Sequence, residues 1–91
     1  MNIYDLADVL DRNLIITRQA NNINAFRVGF GHCEIKQGTL LIGAYGRGNT
    51  VKEALNSFTR QISRQTLVFD VVYPDYRVEF VVPVLSFVED I

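Results

Sequence analysis

The chain has a single cysteine, Cys33, and a single histidine, His32. A lone cysteine excludes an internal disulfide and fits a reducing compartment. The pair also leaves little material for a hydrolytic triad, which needs a nucleophile, a base and a group that orients the base. Adjacent residues on a regular strand point to opposite faces, so these two side chains do not meet there. The expected state is a small buried cysteine beside a surface histidine. A metal site needs three or four ligands, and the carboxylates here are scattered. Asp5, Asp8 and Asp11 are spaced by three, as on the solvated side of a helix. The chain therefore reads as a non-enzyme, with no catalytic residues, no cofactor and no metal. Apolar runs are short too. None approaches the roughly 18 residues of a spanning helix, so no membrane segment is expected. The N-terminus is acidic and carries no basic leader, which predicts a cytoplasmic protein.

What is present describes one small globular unit spanning 1–91. Hydrophobic residues make up 48% and charged residues 21%, a balance that specifies a packed core rather than a disordered chain. The formal net charge is -1, so no global field draws the protein to nucleic acid or to an acidic membrane.

The most readable stretch is Tyr45-Gly46-Arg47-Gly48-Asn49-Thr50-Val51-Lys52-Glu53-Ala54-Leu55. Thr50 and Glu53 have capping-box spacing: the hydroxyl can accept from the Glu53 amide, and the carboxylate can reach back to the amide of Thr50. Gly46 and Gly48 are expected to supply positive φ where the chain turns from strand to helix. Beyond the cap, Val51, Ala54, Leu55, Phe58 and Ile62 form one apolar stripe, which predicts an amphipathic helix with Phe58 in the core.

The rest of the chain follows by pattern. Ile3, Leu6, Ala7 and Leu10 form a helical stripe, with Asn2 as the N-cap and Asp5 suited to the positive end of the helix dipole. Leu14-Ile15-Ile16-Thr17 reads as a strand and 19–24 as a polar loop. Phe26, Val28 and Phe30 alternate with Arg27 and Gly29. After Gly31 the apolar phase slips to Cys33 and Ile35, which predicts a β-bulge. Gln37-Gly38 marks a turn, and 39–45 returns as a strand. This segment is apolar on both faces, so a central position in the sheet is expected. Residues 66–73 and 76–82 form a closing hairpin around a Pro74-Asp75 turn, with Pro83 placing the last strand at an edge. An acidic-ended tail, 86–91, follows. The expected fold is α+β, in the order α-β-β-β-α-β-β. It has a five-stranded antiparallel sheet with two helices on one face.

Charge is uneven within this frame. Arg47, Lys52, Arg60 and Arg64 face Glu53 alone between residues 46 and 65. They are the candidate nucleic-acid or anion contacts, Arg47 beside the helix N-terminus and the others along helix 51–64. The α-β-β-β-α order is similar to that of a double-stranded RNA binding domain. Such domains place lysines at the start of the second helix, where this chain holds Lys52.

Two further resemblances concern the glycine turn. The run Gly46 to Leu55 resembles the G-x-T-x-x-E-A-L turn of HicB-type antitoxins, which also join a β-meander to a helix there. The longer pattern continues from this turn into Ile62-Ser63-Arg64-Gln65-Thr66-Leu67-Val68-Phe69 and a closing hairpin. It looks like small uncharacterised proteins of phages and prophages of Gram-positive bacteria. That resemblance implies a host-facing or replication-associated role with no known activity. The leading expectation is an accessory protein that binds a protein partner, and the second is a nucleic-acid-binding module. A homodimer is also expected. Val68, Val72, Val81, Val84, Leu85 and Phe87, with Tyr73 and Tyr76, supply more apolar surface than two short helices can cover.

Overall fold

A computed structural model describes residues 1–19 and 25–89 of the chain. The polar loop expected at 19–24 lies outside the described residues apart from Gln19, as do the last two residues of the acidic tail. The fold is α+β, with helices α1 (Ile3–Leu10) and α2 (Val51–Ile62). The strands are β1 (Leu14–Arg18), β2 (Phe26–Phe30), β3 (Cys33–Gln37), β4 (Leu40–Gly43), β5 (Gly46–Gly48), β6 (Thr66–Phe69) and β7 (Val78–Val81). They form two antiparallel sheets, ordered β1-β2-β5 and β4-β3-β6-β7. The single five-stranded sheet expected from the pattern is not what forms.

The reason lies at the phase change after Phe30. Val28 is opposite Gly46 and Glu34 is opposite Gly43. Five residues, 29–33, thus face only two, 44–45. A one-residue bulge bends a sheet, but an excess of three breaks it. His32 takes the left-handed conformation at the break, φ 52°. Its carbonyl accepts from the amide of Asp70, which is also left-handed at φ 55°. That turn ends β6 at Phe69, short of the expected 73. The Pro74-Asp75 turn is present within the loop that follows, closed by the Tyr76 amide on the Tyr73 carbonyl at 2.9 Å. β7 is an edge strand and stops before Pro83.

Both helices begin with side-chain caps. Asn2 accepts from the amides of Tyr4 and Asp5, and Asp5 accepts from the Asn2 amide, which completes a capping box on α1. At α2, Thr50 accepts from the Glu53 amide at 3.1 Å. Glu53 reaches one residue further back than expected and accepts from the amide of Asn49 at 2.7 Å.

The two glycines before α2 have a different purpose from the one expected. Neither has positive φ; among the glycines only Gly38 does. A Cβ on Gly46 would instead fall on the Ala54 carbonyl and the Phe58 amide, and one on Gly48 would lie 2.6 Å from the Ala54 amide. Their bare backbone lets β5 lie flat against α2. The apolar stripe of α2 then closes the core. Ala54, Leu55, Phe58 and Ile62 are buried together with Ile3, Leu6, Val28, Ile35, Leu67 and Phe69. Phe30 meets both Phe58 and Phe69 edge-on, at 5.6 and 5.9 Å between ring centres. Each such pair contributes about 0.5–1.5 kcal/mol beyond area burial. Among the described residues no helix is long and apolar enough to cross a membrane.

Candidate functional site

Three of the four basic residues expected as contacts lie in one depression. Arg47 from β5 and Lys52 and Arg60 from α2 line one shallow depression of about 480 Å³, with Asn56 and Ser57. Arg64 is not among them. It lies beyond the last turn of α2 with φ 67°, and its amide donates to the Val82 carbonyl at 3.0 Å. The helix ends at Ile62, so the regular spacing that would align Arg64 with Arg60 stops short of it. Arg60 also has a packing partner: its guanidinium sits 5.3 Å from the centre of the Phe87 ring.

Sequence reasoning missed the other half of this surface. Arg27 of β2 is directly opposite Arg47 in the ladder. Both guanidiniums rest on Tyr45, at 3.9 and 5.0 Å from the ring centre. Like charges face to face on a ladder are unfavourable, and the π-face of the tyrosine offsets part of that cost. The signal was present in the composition of the sheet: β1, β2 and β5 contain Arg18, Arg27 and Arg47 and no acidic residue. Arg27 and Tyr45 also line a cleft of about 380 Å³ at the break between the sheets, with Thr17, Gln19 and His32.

Cys33 and His32 share that cleft. Burial pushes the Cys33 thiol up to about 12, Glu34 adds to the effect, and Arg12 opposes it weakly. A thiol held protonated at neutral pH is a poor nucleophile and a poor metal ligand. Arg12 serves structure instead, with a 3.1 Å ion pair to Asp70 and its guanidinium 4.6 Å from the centre of the Phe69 ring. Among the described residues no three His, Cys, Asp or Glu side chains converge.

The second unusual surface is β4. Expected in the centre of a sheet, it is an edge strand, and Leu40, Leu41 and Ile42 are 64, 39 and 42% exposed. Two of the residues expected at a dimer contact are accounted for within the chain, since Val68 and Leu85 are buried. Val68 is covered on a face where Lys36 reaches across β6 to Glu79 at 2.9 Å. This contact draws the Glu79 carboxyl below its ordinary range. Val72, Tyr73, Tyr76, Val81, Val84 and Phe87 are exposed.

No known protein family matches the chain, and neither a curated protein nor a solved structure is detectably similar to it.

Proposed function

We propose that the protein is a non-enzymatic accessory protein of a phage or prophage, and that it acts by binding another protein along the open edge of β4. The observation that carries this reading is the chemistry of that edge. Sheet edges are ordinarily guarded by charge, proline or distortion, because unpaired amides and carbonyls invite a further strand. The opposite edge of the same sheet is guarded: Glu79 lies within β7, and Arg77 and Pro83 flank it. β4 has three exposed aliphatic residues and a glycine, with no charge and no proline. An extended segment added there gains main-chain hydrogen bonds for affinity. Leu40 and Ile42 on one face, and Leu41 on the other, give side-chain selectivity. Without such a partner, the same edge pairs two copies about a two-fold axis, which makes the homodimer the resting state.

The test uses the full chain as bait in a Gram-positive bacterial lysate, beside the double variant Leu40→Lys, Leu41→Glu. The carboxylate at 41 falls opposite Lys36 and favours the fold, while both charges guard the edge. The reading expects a captured protein that survives high salt and is lost with the folded variant. Equal capture by the variant, or capture that disappears with salt, overturns it.

A further inference from the structure

A second surface, on the other sheet and independent of β4, has an unusual charge arrangement. Arg27 and Arg47 are opposite one another, and neither is in an ion pair among the described residues. Both guanidiniums lie against the face of Tyr45. Two guanidiniums held side by side without a carboxylate favour an anion that reaches both. The ground on either side is cut to receive more than a single small anion. The cleft at the sheet break continues from Arg27 and Tyr45 toward Thr17 and Gln19. The depression on α2 continues from Arg47 toward Lys52 and Arg60. Tyr45 lines the first and Arg47 the second, and the Arg47 guanidinium lies 5.0 Å from the centre of the Tyr45 ring. The overall charge of -1 conceals this basic side: one carboxylate lines each depression, Glu34 in the cleft and Glu53 on α2, while α1 with its cap, β7 and the 70–77 loop carry most of the other acidic residues.

We propose that Arg27, Tyr45 and Arg47 form the centre of a track for single-stranded nucleic acid, running from the cleft at the sheet break over β5 onto α2. The guanidiniums take phosphates, and a base stacks on the tyrosine–guanidinium platform. An aromatic ring set between cations is the combination that single strands use, since every base offers a π-face and every linkage a charge. A duplex fits less well. Its bases are already stacked, and it is too stiff to follow a path that bends over a sheet edge.

The experiment is fluorescence anisotropy with labelled oligothymidine and oligouridine, beside a duplex of equal length, over a salt series. The wild type is expected to bind the single strands at low salt and prefer them to the duplex. Its log–log salt slope should be near −1.4, about −0.7 for each of two phosphates. Tyr45→Ala is expected to weaken binding by about tenfold or more, the size of one lost base stack, while Tyr45→Phe stays close to the wild type. Arg27→Gln should reduce the slope by about 0.7. Arg64→Gln and the guarded β4 variant should bind as the wild type does, which separates this surface from the protein-binding edge. Circular dichroism melts establish that each variant is folded. No binding at low salt, a preference for duplex, or wild-type binding by folded Tyr45→Ala and Arg27→Gln would overturn the proposal.

Discussion

Asn56 holds Val88 by both of its backbone polar groups. The Asn56 amide nitrogen donates to the Val88 carbonyl at 3.1 Å, and its carboxamide oxygen accepts from the Val88 amide at 2.8 Å. One side chain on α2 thus imitates a neighbouring strand for the C-terminal tail. The Ser63 hydroxyl adds a contact by accepting from the Leu85 amide, and the Ser86 amide donates to the Met1 carbonyl. The tail closes the fold over its own chain and buries Leu85, while Phe87 remains about half exposed.

Asn56→Ala removes both contacts at once. Leaving two part-buried peptide groups without partners is expected to cost about 1–3 kcal/mol. Chemical denaturation reads the loss, and faster amide exchange at Val88 locates it in the tail. An unchanged midpoint with unchanged exchange at Val88 would show that the tail is held by its apolar contacts alone.

Gly46 and Gly43 give a matched pair of substitutions. Gly46→Ala drives a methyl group into the backbone of α2, and forcing such a contact costs about 1–3 kcal/mol. At Gly43 a Cβ meets nothing within 4 Å and φ is not positive, so Gly43→Ala is expected to be neutral or mildly stabilising. Urea titrations of the two variants decide between close approach and turn geometry as the reason for glycine at 46. Equal effects would remove the close-approach account.

These glycines show where the sequence was legible. The capping residues, the apolar stripe of α2 and the burial of Phe58 follow from spacing along one helix, and the structure has all of them. Why a glycine is required does not follow from spacing, because positive φ and close packing leave the same residue. The centre of the basic surface was hidden by register. Extending the pairing of Gln37 with Leu40 back along the hairpin would set Arg27 opposite Thr50. The three extra residues at 29–33 shift it onto Arg47. β4 was misplaced for a related reason. Apolar residues on both faces describe a strand that something must cover, and they do not say whether that cover belongs to the same chain.

Cys33 is expected to be inert in the folded protein. Its thiol, pushed from 9.0 up to about 12, stays protonated where the unfolded chain has already lost its proton. Folding stability therefore falls as pH rises between those two values and is unaffected by Cys33 below them. A disulfide reagent at about pH 8 should label the thiol only under denaturing conditions, because the thiolate is the reacting species. Rapid labelling of the native protein would contradict the shielding of this half-buried thiol.

Self-pairing along β4 predicts a mass that rises with concentration toward twice 10.4 kDa. Leu40→Lys, Leu41→Glu should remain monomeric under the same conditions. Light scattering on both proteins checks this. A wild type that holds at the monomer mass across the micromolar range would contradict self-pairing, and an equal dimer in the variant would move the contact to the exposed residues of the closing hairpin.

The central claim, that β4 is where a protein partner is taken up, is tested most directly by hydrogen exchange on the captured complex compared with the protein alone. An added strand gives hydrogen-bond partners to the β4 amides that point away from β3, so residues 40–43 should gain the largest protection on binding. Protection confined to β5 and α2, with β4 exchanging as fast as in the protein alone, would contradict the account.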